Sequence, residues 1–362
     1  MVYTVNRSTA AVLDKLAAAP RIGDLGLFFS PGWHEKNDRT EGYFDAEWGV
    51  PESWDSAIIQ GPHLHVANPL YKQPNPTMLN NKDWTSIDLE ALAIDAIPAT
   101  QYRPTGNSSD YDEAYTRWSV TEGSVPARHY FRIAWRAMAA NTGERTLIPA
   151  IIPPGTAHPH TVSAVGGPNI PLKRIVEAAG FMTSIIADFV IRAVPKSGIL
   201  MSSIDKLPMV PDGPYSEAIV ERVLRLTCLT AAWAPMWETV TKTEWQPTVA
   251  WRIARDRRLG LVEIDALVAR ALRIGIDDLI GIYRSQFPVL RGYDFDEYLF
   301  DANGRLVPLS IRQSWKRDPS AVSTPAGRTF KHPGSGRTYT YETPFVHLDR
   351  EADMRKAYND FG

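Results

Sequence analysis

Arginines at alternating positions make the first case for chemistry in this sequence. Arg132 and Arg136 stand two pleats apart in FRIAWRAMAA, and Arg145 follows at the start of a second apolar run. Guanidinium is a planar fork that matches phosphate or the edge of guanine, so an arginine-studded strand face suits either. A solvated strand face is the plain structural alternative. Arg252, Arg255, Arg257 and Arg258 form a second basic cluster, in which positions 252, 255 and 258 fall near one face of a helix. Asn68-Pro69-Leu70-Tyr71 offers an amide, a proline carbonyl and an aromatic ring, groups able to hold an exocyclic amine and stack on its base. His63-x-His65 and His158-x-His160 have a spacing that puts two imidazoles on one strand face. With no cysteine pair and few carboxylates nearby, these read as ordinary strand and loop histidines.

Other catalytic signatures are missing. No Glu-x-Lys occurs for a magnesium nuclease, no Gly-x-Ser-x-Gly for a nucleophile elbow, and no Gly-x4-Gly-Lys-Ser/Thr for a phosphate loop. Leu70 departs from the Asn-Pro-Pro-Tyr motif of amino-methyltransferases. Residues 1–60 lack the strand and Gly-rich turn that would hold S-adenosylmethionine, and Gly166-Gly167 follows no convincing strand. Asn68–Tyr71 is therefore expected to be a structural strand-to-loop turn.

Those side chains need elements to carry them. Ile133, Trp135 and Ala137 alternate with Arg132, Ala134 and Arg136, the period of a half-buried strand. Asn141-Thr142-Gly143-Glu144 supplies a turn, and Leu147–Ile152 a second strand ended by Pro153-Pro154-Gly155. Ser8 caps a short helix through Leu16. Leu172–Val194 has helical spacing in parts, Pro195-Lys196 ends it, and Ile199-Leu200-Met201 looks like a strand. Ile219, Val223, Leu226, Leu229 and Trp233 recur three to four apart, predicting one long amphipathic helix over 216–237. Further helices are expected near 247–259, 261–273, 276–283 and 351–361. The fold class is α+β: a mixed-sheet, recognition-like body over 1–212, then a mainly helical part over 213–362 with an irregular tail.

Composition narrows the class. The 362 residues carry a formal net charge of −2, which argues weakly against nucleic-acid binding as a whole. The distribution is uneven: residues 1–125 hold 9 Lys/Arg against 17 Asp/Glu, and residues 126–212 hold 9 against 5. Arginine outnumbers lysine 28 to 11, a bias that favours bidentate recognition and that a GC-rich genome also produces. The single Cys228 fits a reducing cytoplasm. No apolar run approaches the roughly 18 residues of a membrane helix, and the opening MVYTVNRSTAAVLDKL is not a secretory signal.

Five stretches carry a wider likeness: IIQGPHLHVANPLYKQP at 58–74, ERTLIPAIIPPG at 144–155, RRLGLVEIDALVA at 257–269, IYRSQFPVLRGYD at 282–294 and DRE at 349–351. In this order they resemble the region after the catalytic domain of large, single-chain adenine-specific DNA methyltransferases. Those enzymes serve type IIG-like, BREX and DISARM bacterial defence systems. The catalytic domain itself is missing from this sequence. The resemblance implies a non-catalytic target-recognition module that binds double-stranded DNA beside a separate methyltransferase subunit or domain. S-adenosylmethionine would belong to that partner, with no cofactor or metal here. The contact residues expected are Arg132, Arg136 and Arg145, then Lys72 and Arg128, with Arg255 and Arg258 as secondary phosphate contacts. The acidic N-terminal third would face a protein partner. Two rivals are an unrecognised methyltransferase using Asn68–Tyr71 and a protein-binding scaffold or DNA mimic.

Overall fold

A computed structural model describes residues 7–80, 82–140, 142–193 and 197–362. The expected turn at Asn141 and the helix stop at Pro195-Lys196 lie outside these residues, as does the side chain of Ser8. The fold is α+β, as expected. Its main sheet has four strands: β1 (Phe28–Ser30), β2 (Arg132–Arg136), β3 (Pro149–Ile152) and β4 (Val162–Gly166). They lie in the order β1-β4-β2-β3, each antiparallel to its neighbours. The β2–β3 hairpin read from the sequence is present, with Ile133 opposite Ile151 and Ala134 opposite Ala150.

The sheet differs from expectation in being covered on both faces. Ile133, Trp135, Ile151 and Val165 belong to a large core shared with the helices. Ala134, Ala150, Ile152, Val162 and Ala164 pack instead with Ile59, Leu64 and Val66 from the N-terminal region. An aromatic cluster of Trp33, Phe44, Tyr111, Tyr115 and Trp118 extends that second layer. The face read as solvated is therefore interior. β4 also corrects the reading of Gly166-Gly167, because a strand does precede that pair. It is antiparallel to both neighbours, whereas cofactor turns of open α/β sheets sit at the carboxyl ends of parallel strands.

Eight helices matter here: α1 (Arg7–Ala18), α2 (Leu172–Thr183), α3 (Ile185–Ala193), α4 (Ser216–Thr227), α5 (Ala234–Thr241), α6 (Ala254–Ala271), α7 (Ile276–Gln286) and α8 (Arg350–Asp360). The helix expected over 216–237 is broken after Thr227. Pro235 starts a new one, since proline can neither donate to the preceding turn nor sit inside a helix without a clash. The apolar face was read correctly: Ile219, Val223, Leu226, Leu229 and Trp233 are all buried. The two helices expected over 247–273 are one, α6, which runs straight through Gly260. Ile199 and Met201 form no strand; Ile199 instead accepts a hydrogen bond from the Trp135 indole at 3.0 Å. α8 is capped by Asp349, whose carboxylate accepts from the amides of Glu351 and Ala352.

No gap in packing marks residue 212. The largest core takes Val12, Ile133 and Phe189 from one side of it and Leu226, Leu267 and Met354 from the other. The tail carries a core of its own, built on Leu299, Val307, Ile311, Tyr339 and Phe345. Among the described residues, no helix is long and apolar enough to cross a membrane.

Candidate functional site

The basic residues singled out by sequence do not form one outward patch. Arg132 is fully buried and donates to the Tyr115 hydroxyl at 3.1 Å and to the Thr156 carbonyl. Arg128 is tied to Asp112 and to the carbonyls of Asp55 and Gly155. Arg145 donates to Asp188 at 2.7 Å and to the carbonyls of Thr183 and Ser184 at the end of α2. Arg258 is buried against Asp353 at 2.6 Å. These four are corrections to the sequence reading: their donors are engaged inside the molecule, those of Arg128, Arg145 and Arg258 by carboxylates and those of Arg132 by a hydroxyl and a carbonyl. The reason is the covered second face of the sheet and the packing of α8 over α6.

Three of the expected contacts keep some exposure. Arg136 is half-buried, donating to the Gly61 and Leu64 carbonyls at 2.9 and 2.6 Å. Lys72 is half-buried beside the Tyr71 ring at 5.0 Å, and burial and then the nearby Arg136 charge lower its pKa. Arg255 is 40% exposed at its side chain, with Asp256 at 4.0 Å. The second basic cluster does not share one helix face either: Arg252 precedes α6 and donates to the carbonyls of Leu92 and Leu229.

The histidines hold no metal group: among the described residues no three His, Cys, Asp or Glu side chains gather to hold an ion. His63 bonds to the Gln60 amide and the Ala99 carbonyl, and burial lowers its pKa to about 4. His158 is buried near Arg132, with burial and that charge lowering its pKa to about 3. His160 stacks on His34.

The structure instead gathers residues around a cavity of about 190 Å³. That is more than ten times the roughly 10–15 Å³ that one water needs. Glu144 is the acidic residue of its lining. One carboxylate oxygen accepts from His65 Nε2 at 2.9 Å and the other from the Tyr298 hydroxyl. Burial alone would push this carboxyl up, but those two hydrogen bonds, the His65 charge and Arg350 hold it at about 2. The His65 ring also lies 4.6 Å from that of Tyr71. Arg350, in the wall, pairs with Asp294 behind it at 2.6 Å, and Asp294 accepts from the Tyr283 hydroxyl at 2.8 Å. Burial raises Asp265 to about 6, against the opposing pull of Arg145 and Arg350.

Asn68 and Tyr71 both face the cavity. The Asn68 side-chain oxygen accepts from the Leu70 amide at 3.0 Å, the closed local turn of an Asx motif. Arg257 is the wall's other notable cation. Its guanidinium donates to the carbonyls of Leu226, Trp251 and Ala67, and burial lowers its pKa to about 10. Among the described residues no carboxylate pairs with it, unlike Arg145, Arg258 and Arg350 in the same wall. Sequence reasoning missed Glu144, Tyr298, Arg257 and Arg350 as site residues. Glu144 lies 79 residues from His65 and 154 from Tyr298, so no local spacing signals the group.

The site is thus an aromatic and aliphatic cavity with a buried ionic wall, in an α+β molecule whose sheet is entirely antiparallel. No known family model and no curated protein matches the sequence.

Proposed function

We propose that this chain is a non-catalytic DNA target-recognition module, working with a separate adenine methyltransferase of a restriction or phage-defence system. One observation carries the reading. All five stretches that hold the resemblance contribute to one cavity wall: His65 and Tyr71, Glu144 and Arg145, Arg257 and Arg258, Leu290, and Arg350. Segments nearly 300 residues apart in the chain form a single spatial unit. The duplex contacts belong to the cations that keep solvent exposure, Lys72, Arg136 and Arg255, in place of the buried hairpin arginines. Phosphate contacts of this kind position DNA, and a few groove-facing side chains supply sequence.

The test is a salt titration of DNA affinity with the methyltransferase partner present. Lys72→Ala and Arg255→Ala should each weaken binding to every sequence and make the salt slope shallower by about one unit. Arg132→Ala should lower the melting temperature and leave the slope of the folded fraction unchanged. No affinity for duplex at low salt would sink the reading.

A methyltransferase built on Asn68 and Tyr71 is a second reading, favoured by their position in the cavity wall. It requires the isolated chain to bind S-adenosylmethionine in a calorimeter, and our reading requires that it does not.

A further inference from the structure

We propose that the cavity is a binding site for a small anion carried on a ring, an aromatic carboxylate or aryl phosphate, with Arg257 as its anchor. The site stands whether or not the chain binds DNA. Three observations converge. The first is charge. Arg145, Arg258 and Arg350 are each matched by a carboxylate, at 2.7, 2.6 and 2.6 Å, and Arg257 is not. A half-buried cation met only by carbonyls, in the wall of a cavity, favours an anion in that space.

The second is donor geometry. A guanidinium has five N–H groups in a fixed fork. Protein carbonyls at 2.8, 2.8 and 3.2 Å use both hydrogens of Arg257 Nη1 and one of Nη2. The remaining Nη2 hydrogen and Nε–H leave this residue, which lines the cavity, able to bind a carboxylate or phosphate oxygen. Those same three carbonyls fix the guanidinium before any ligand arrives, so little side-chain freedom is lost on binding.

The third is the rest of the wall. Tyr71, Tyr298 and Phe300 supply ring faces and edges, and Leu261, Leu290 and Leu306 supply aliphatic surface. A few fixed polar groups in an otherwise apolar concavity is the make-up of small-molecule sites. Glu144, the one acid in the wall, is already met by His65, Tyr298 and the Arg350 charge, and it exerts no resolved pull on Arg257. An anion at Arg257 therefore does not face an unmatched carboxylate.

The experiment is calorimetry on the whole chain with four probes: benzoate, phenyl phosphate, inorganic phosphate and benzyl alcohol. At least one of the two ring-bearing anions should bind saturably at one per chain. The ring without charge and the charge without ring should each bind at least about tenfold more weakly. Arg257→Gln should weaken the ring-bearing anion by about ten- to a hundredfold, the effect of losing a charge-assisted hydrogen bond. Because Arg257 also braces three carbonyls, a second variant guards against misfolding. Leu306 lines the cavity and is 40% exposed, so Leu306→Trp adds bulk from the solvent side, and it should abolish binding with the melting temperature intact. The proposal is overturned by no saturable binding of either ring anion up to about 10 mM, by equal binding of benzyl alcohol, or by binding that Leu306→Trp leaves unchanged.

Discussion

The fate of individual charged side chains depends on surfaces that the local sequence does not mention. Alternation along residues 132–136 told correctly where a strand lies and which positions share a face. It did not tell that residues 59–66 and an aromatic cluster cover the second face, turning Arg132 from a surface fork into an interior strut. Glu144 had been legible only as a turn residue, yet it joins three distant parts of the chain. Its ionised form is favoured by folding, because its value is about 2 against an ordinary 4.5. The stabilisation is present in full above the ordinary value and is lost as pH falls from there toward about 2. A shift of this size is worth up to roughly 3 kcal/mol. Glu144→Gln should therefore lower stability at neutral pH by up to that amount. Urea melts of parent and variant at pH 7, 4 and 3 should show the gap closing with acid; a constant gap would mean that the carboxylate charge is not what stabilises this site.

Among the elements, helix faces were easier to read than helix ends. The spacing of Ile219, Val223 and Leu226 is set by the core they enter, so periodicity finds them. The ends are set by single residues acting in context: Pro235 starts α5, while Gly260, which often stops a helix, lies inside α6 because Trp251 packs against it. The crossing of α2 over α4 also depends on a small residue. A Cβ built on Gly180 would lie 2.3 Å from Ile219 Cγ2, and the β-branched side chain has little room to turn aside. Leu226→Ala should cost about 2–5 kcal/mol by leaving a void. Gly180→Ala should cost about 1–3 kcal/mol by overfilling the same interface, despite alanine's better helix propensity. Thermal melts with both variants near the parent value would show that α2 and α4 do not pack as described.

At the scale of the molecule, the division expected at residue 212 followed a change from mixed to helical patterning, whereas the core is continuous across it. What closes that core is α8. Met354 enters it, Arg350 pairs with Asp294, and Asp353 pairs with Arg258. Removing residues 350–362 would take the closer partner from each of Asp294 and Arg258, leaving them 3.6 Å from one another, and would leave Asp265 without Arg350 and the core without Met354. The shortened chain should lose its cooperative melt, followed by circular dichroism; a transition like the parent's would show that α8 is an ornament on a core complete without it. The dependence on α8 also has a meaning in time. A ribosome adds about 5–20 residues per second, so tens of seconds separate the making of Val12 from the making of Met354. The sheet and α2 to α7 are made during that interval, and from the completion of α7 at Gln286 to the making of Met354 their apolar faces exist without the element that seals them, for roughly 3–14 s at that rate.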